Sequence, residues 1–411
     1  MKQILFICSM LLAWPSFALD FGGNKLLSYK LWKTVSKEEL SKTMKERHVP
    51  KSLLNPKYDV DIYDVTYKSC WFDSTCILAS GLVFVPKGLD TPMPEVVYHH
   101  GTRVEKGRRK NITGEDYLCL GMAVDGYLVL QPDYIGLGYG DKFHLYQQYK
   151  SLGQASVDFI YAARELSDSL KFSINQQLFL TGYSEGGYAA VAANKLIQES
   201  YPDLKVTATA GNSGAYDMAG VQSEVMFKKY SRGHYLPYLL RGLNEIYHIV
   251  PDINTIYKPP YDTLIPQVFD GKHTFKEIDA YMPEVPKDMI RDTFVNLFLS
   301  DPNFPLHKAL DDNSLCFWKP ENPIQLCYCK ADEQVNYRNS IVAQEGMKKL
   351  GAKHITTRNA GNKYGHTKCA LFASMYSKLY FDSFRKGSKY GRPGNAGKRF
   401  MLALAKLAIK P

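Results

Sequence analysis

No apolar run in the 411 residues reaches the roughly 18 needed to cross a membrane; the longest stands at the N-terminus and is shorter. Tryptophan is scarce, 4 against 29 Tyr and 20 Phe, so the flat side chains available to line a pocket are mostly tyrosine and phenylalanine. No pair of CxxC motifs offers a zinc site: Cys327-x-Cys329 is too tightly spaced and has no second pair. Acidic residues are absent from 383–411, where Arg385, Lys386, Lys389, Arg392, Lys398, Arg399, Lys406 and Lys410 lie. Eight of the ten net positive charges therefore sit in that tail, and the body is nearly neutral. A nucleic-acid protein would carry its basic face on the folded domain, so that class is excluded. There is no internal repeat, and the only biased stretch is the Gly/Lys/Arg-rich 385–399. With 45% apolar and 22% charged residues the chain can bury a core, which disordered sequences cannot. Its length allows two domains or one large α/β domain with an insertion.

The N-terminus reads as an export leader. Lys2 supplies the positive end, Ile4 to Trp14 the apolar centre, and Ser16-Phe17-Ala18 the small residues a signal peptidase reads. Cleavage is expected after Ala18, with a secreted or periplasmic product. Cys8 lies inside the apolar stretch without a lipoprotein context, so no lipid anchor is expected. Export permits disulfides. Cys70 and Cys76 flank a short WFDST segment between two strand-like runs and are expected to be bonded. The other five, Cys119, Cys316, Cys327, Cys329 and Cys369, cannot be paired from sequence, and an odd total leaves one thiol over.

Strands are predicted at 60–68, 77–86, 95–99, 127–131, 177–183 and 205–210, and amphipathic helices at 152–170 and 185–199. Alternation at this rhythm implies a mostly parallel sheet covered by helices on both faces. The rhythm breaks over 217–320, rich in Tyr, Pro and Met with short helical pieces and no clear strand. It resumes with strand 323–329, helix 339–350, strand 353–357 and helix 367–381. The expected fold class is α/β, with core segments 19–216 and 321–382, a helical lid 217–320 before the acid-bearing strand, and a basic tail 383–411. The lid's aromatic residues, Tyr235, Tyr238, Phe269 and Phe294 among them, are expected to wall an acyl pocket.

The strongest chemical signal is Gly182-Tyr183-Ser184-Glu185-Gly186-Gly187 between a strand and an Ala-rich helix. Flanking glycines permit a sharp turn that presents the hydroxyl, and the helix N-terminus favours developing negative charge. A serine needs a base, and the base an orienting carboxylate. Asp332 follows strand 323–329, and His366 follows strand 353–357; Glu333 is the alternative acid. His354, His273 and His307 are read as structural. The oxyanion hole is expected from the N–H groups of Glu185 and of Thr102, with Gly101 next, in the loop after 95–99.

Together HHGT at 99–102, PDYIGLG at 132–138, GYSEGG at 182–187, ADEQV at 331–335 and GH at 365–366 resemble the α/β-hydrolase superfamily, and within it the secretory lipase family of fungal lipase A and its bacterial relatives. The resemblance spans about 60–382. It implies hydrolysis of carboxylic esters of small molecules or lipids by a serine nucleophile, without metal or organic cofactor. Glu185 departs from the small residue common at that place. Asp133 and Tyr134 read as structural supports of a loop beside the site. Two other readings stay open: a secreted serine exopeptidase of the prolyl-peptidase kind, and an inactive hydrolase fold that binds. In the tail, Phe400, Met401, Leu404 and Leu407 on one side of 396–408 suggest either a helix packed on the body or a basic amphipathic contact with anionic membrane.

Overall fold

The computed structural model describes residues 24–46, 55–107, 109–391 and 396–408; the expected leader 1–18 lies outside them. One nine-stranded sheet carries the chain: β1 (Leu26–Val35), β2 (Val60–Cys70), β3 (Cys76–Pro86), β4 (Met93–His99), β5 (Leu128–Pro132), β6 (Ile174–Tyr183), β7 (Val206–Asn212), β8 (Ile324–Cys329) and β9 (Ile355–Gly361), in spatial order β1-β2-β3-β5-β4-β6-β7-β8-β9. The first three strands and the β3–β5 pair are antiparallel; from β5 onward every neighbour is parallel. This is the α/β-hydrolase arrangement that the motifs implied.

Alternation along the strands splits the core into two layers. Phe84, Val96, Val129 and Phe179 face α1 (Lys37–Glu46), α2 (Asp116–Ala123) and the helix α11 that starts at His366. Val83, Val97, Leu130 and Leu180 face α3 (Tyr149–Leu170) and α4 (Glu185–Ser200). The α3 helix buries Ala155, Phe159, Ala162, Ala163 and Leu166, the spacing that announces it in sequence. Gln148 caps its first turn through Ser151 N–H at 2.7 Å, and the left-handed Lys171 ends it. Three elements escape the sequence reading: β1, α1 and α2. The edge strand β1 leaves Leu27, Tyr29 and Leu31 exposed, so it has no buried stripe to betray it.

Between β7 and β8 the inserted block runs through short helices, α5 (Tyr235–Tyr247), α6 (Tyr261–Val268), α7 (Phe275–Asp279), α8 (Asp292–Ser300) and α9 (Pro305–Asp312). Among its described residues there is no strand beyond one bridge, Tyr257 to Ile290. Of its aromatic residues, Tyr235 and Phe275 line the cavity described below, while most of the others face inward. Tyr238, Tyr257, Phe294 and Phe298 pack with one another and with Tyr188 and Val191 of α4 and Ala343 and Met347 of α10 (Arg338–Lys349). The block closes its own apolar surface against the body, which is what a hundred residues with many rings do once a neighbouring helix face is available. The last helices are α11 (His366–Arg385) and α12 (Ala396–Ala408). The tail docks on the body through Leu402, fully buried beside α11, while Phe400 and Leu404 stay exposed.

The disulfide expectation is corrected. Cys329 and Cys369 are bonded, whereas Cys70 and Cys76 are free thiols. Those two stand opposite each other in the β2–β3 ladder. Backbone closes the turn between them, with Trp71 N–H on Thr75 O at 2.9 Å and Ser74 N–H on Trp71 O at 3.0 Å. The hairpin therefore holds without a covalent tie. Burial, then the Asp158 charge, pushes the Cys70 thiol up to about 11, and only the thiolate reacts. An alkylating reagent added without reductant should label Cys76 first and Cys70 slowly. Unfolding without reductant should then expose Cys119, Cys316 and Cys327, leaving Cys329 and Cys369 unlabelled. Mass mapping that finds Cys70 and Cys76 protected as a pair would reinstate the first expectation.

Candidate active site

Strand β6 ends at Tyr183 and α4 begins at Glu185, with Ser184 between them at φ 60°, ψ −122°. Few residues other than glycine tolerate a positive φ, so the surroundings must impose it. Ser184 N–H donates to Asn212 O at 2.9 Å, tying the turn to the end of β7. A side chain on Gly186 would run into the His99 carbonyl at the end of β4, and one on Gly187 into the Asn212 carbonyl. The glycines are there so that the first turn of α4 can press against two strand ends. Glu185, as the first helical residue, has an N–H with no partner inside the helix.

His366 opens α11 after the Gly365 cap. Its Nδ1 lies 2.8 Å from both carboxylate oxygens of Asp332. Asp332 Oδ1 also accepts the N–H groups of Gln334 at 3.0 Å and Val335 at 2.9 Å. Glu333 turns elsewhere: its Oε2 accepts the backbone N–H of His366 at 2.9 Å. Burial pushes the Glu333 carboxyl up, but that bond and its neighbours outweigh it and hold its pKa below the usual value. Asp332 thus faces the imidazole, and Glu333 positions the backbone behind it. The Tyr183 hydroxyl donates to His366 O, and the two rings lie 4.9 Å apart.

The other histidines have different occupations. His99 bridges Thr181 O and Ser156 Oγ, and burial lowers it to about 4. His354, in a bend just before β9, stacks on Tyr390; His273 pairs with Asp270; His307 stacks on Phe298.

In the HHGT loop Gly101 N–H donates to the Glu115 carboxylate at 3.0 and 3.2 Å. It is therefore engaged, which removes Gly101 from the three N–H donors that the sequence offered. Glu115 went unnoticed in the sequence because a lone glutamate in a loop carries no local signal. It also accepts from the Tyr98 hydroxyl at 3.1 Å. Burial pushes its carboxyl up, with Arg103, the Gly101 N–H and the Tyr98 hydroxyl pulling it back. The buried Glu185 carboxylate meets His144 Nε2 at 2.7 Å, also without forewarning. Asp133 and Tyr134 are structural as read: Asp133 accepts from Ser80 Oγ at 2.8 Å and Arg109 at 2.9 Å, and the Tyr134 hydroxyl donates to His100 O at 2.7 Å.

Ser184, Gly101, Thr102, Glu115 and His366 line one cavity of about 1090 Å³. The inserted block reaches it only through Arg232, His234, Tyr235 and Phe275.

The Cys329–Cys369 bond joins the chain three residues before Asp332 to the chain three residues after His366. Closing a 40-residue loop restricts the unfolded chain by about 4 kcal/mol in the chain-entropy account. Replacing both cysteines by alanine should lower stability by an amount of that order and reduce kcat more than it changes KM. Unaltered melting and turnover would show the tie to be idle.

No curated protein sequence matches the chain. Among solved structures it is similar to a candidate hydrolase of Legionella pneumophila, with 29% identity, 88% of this chain and 99% of that one covered, and a TM-score of 0.82. The rice cell wall degrading esterase LipA of Xanthomonas oryzae is 23% identical over 86% of this chain and 95% of its own, TM-score 0.77. Candida antarctica lipase A, in its closed state, is 13% identical over 93% and 90%, TM-score 0.67. The last two share the fold. The family model for secretory lipases matches residues 108–374; the chain belongs to the secretory lipase family.

Proposed function

We propose that this chain is an exported serine hydrolase that cleaves carboxylic esters through an acyl-enzyme. One observation carries the reading: Ser184, held at a positive φ between strand and helix, shares a cavity with His366, whose Nδ1 is bound by Asp332. Ser184 Oγ attacks the ester carbonyl while His366 Nε2 takes its proton and returns it to the leaving alcohol. Asp332 fixes the Nδ1–H tautomer and stabilises the imidazolium. Thr102 N–H and Glu185 N–H hold the oxyanion. Water then repeats the cycle on the acyl-enzyme. The lipase and esterase neighbours support ester chemistry, and the family points to an exported protein.

Ser184→Ala should lower kcat by on the order of 10⁴-fold or more with the fold retained, and Asp332→Asn by about 10³- to 10⁴-fold. Glu333→Gln, whose amide oxygen can still accept from His366 N–H, should lose less than about tenfold. A phosphonate should label Ser184. Activity should fall on acidification, because a protonated imidazole cannot accept the serine proton. Nitrophenyl acyl esters run beside aminoacyl amides decide between ester and peptide substrates. Labelling of another serine, or amide turnover exceeding ester turnover, overturns the assignment. For export, sequencing the released protein should read from Leu19, as cleavage after Ala18 requires.

A further inference from the structure

We propose that the acyl chain of the substrate lies in the groove between α2 and α11, so that chain-length selectivity is set by α11 and not by the inserted block. The inference rests on the ester-hydrolase reading and says which wall receives the acyl arm. The cavity that holds Ser184 and His366 continues along α11, where Ala370, Leu371, Met375 and Leu379 line it. Leu371, Met375 and Leu379, each four residues from the last, fall on one helical face, with Ala370 beside them one turn after His366. Each neighbour lends a matching stripe: Leu118 and Met122, four apart on α2, and Leu40 and Met44, four apart on α1. Three helices presenting apolar faces to one space is a wall built for a greasy ligand, not a chance gap.

The far end is suited to the same occupant. Lys378 borders the groove, but its ammonium is held by Asp125 at 2.6 Å and Asp382 at 2.9 Å. The charge is neutralised in place, and the methylene stem is the part left for an apolar ligand. The opposite rim is different. Arg232 and His234, both paired to Asp279, and Tyr235, whose hydroxyl donates to Gln334, face the cavity from the block. Phe275 is the one wholly apolar side chain on that rim; a mostly polar rim on one side and an apolar groove on the other orient an ester with its alcohol toward the block. From His366 to Leu379 the helix rises roughly 20 Å at 1.5 Å per residue. An extended chain advances about 1.3 Å per carbon given bonds near 1.5 Å, so the groove spans roughly a dozen or more carbons.

The test compares kcat/KM of the full chain on nitrophenyl esters from two to sixteen carbons, each rate divided by the fraction of Ser184 that a short phosphonate labels. Wild type should gain with chain length, by up to about fourfold per methylene, equivalent to about 0.8 kcal/mol. Ala370→Trp, next to the ester, should lower the ratio of twelve-carbon to four-carbon rates at least tenfold. Met375→Trp, more than one turn further along, should move the fall to longer chains. Phe275→Ala, on the block, should change the ratio less than threefold. If Ala370→Trp does not fold, Ala370→Leu gives the same direction with smaller size. A wild-type rate that falls steadily from the acetyl ester, or a ratio moved more by Phe275→Ala than by the α11 variants, overturns the groove while leaving the hydrolase standing. Absence of Ser184 labelling and of any ester cleavage overturns the hydrolase itself.

Discussion

The close approach of α4 to the ends of β4 and β7 is the constraint on which the site depends. Gly186 meets the His99 carbonyl and Gly187 the Asn212 carbonyl with no room for a side chain. With the helix that near, the connection from β6 has a single residue in which to turn, and Ser184 takes a positive φ. A conformation of this kind costs on the order of 1–3 kcal/mol and persists only where its surroundings over-determine it. Asn212 does so twice, by accepting Ser184 N–H and by its amide donating to Gly182 O at 2.8 Å. The same geometry leaves Glu185 N–H unbonded within the helix, so the groups proposed as nucleophile and oxyanion donor come from one backbone event.

Asp332 and His366 come after two other strands, and their relative placement has to be held separately. Asp332 is fixed by two backbone N–H groups of its own turn. His366 is fixed by Glu333 at its N–H, by the Tyr183 hydroxyl at its carbonyl and by Asp332 at its ring. The disulfide then joins the two segments covalently at the root of each. Since Tyr183 is the residue before Ser184, its hydrogen bond to His366 also ties the α11 arm to the β6 turn. These contacts tie the segments of Asp332, His366 and Ser184 to one another.

What the sequence discloses follows from how local each determinant is. Ser184 is legible because strand, glycines and helix lie within a few residues; Asp332 and His366 because topology dictates that each follow a later strand. Buried β-branched runs make the parallel strands evident, while β1, half exposed at the sheet edge, has no stripe. Glu115 acts through Gly101, fourteen residues away, and Cys329 meets Cys369 across forty; nothing in either neighbourhood specifies the partner. The Cys70–Cys76 expectation failed for the converse reason. Proximity in sequence was real, but hairpin hydrogen bonds already did the closing. The aromatic residues of the inserted block show the same limit. Their abundance does not say which of them are buried or against what; Tyr238, Tyr257, Phe294 and Phe298 are buried in one cluster with residues of α4 and α10, while Phe275 and Tyr281 stay exposed.

That relocation changes how substrate orientation is understood. A block most of whose rings are engaged in its own core has few left for an acyl wall; to the cavity it offers Phe275 beside Arg232, His234 and Tyr235, polar groups already held by partners. Desolvating such groups against an acyl chain would cost free energy, whereas α1, α2 and α11 present methyl and methylene surface whose removal from water is favourable. The two walls therefore differ in sign for the same ligand. On the proposed reading, an ester between these two walls has one favourable orientation, with its hydrocarbon along α11. The same reading puts the alcohol on the side of the charged rim, where water would follow it in to attack an acyl-enzyme.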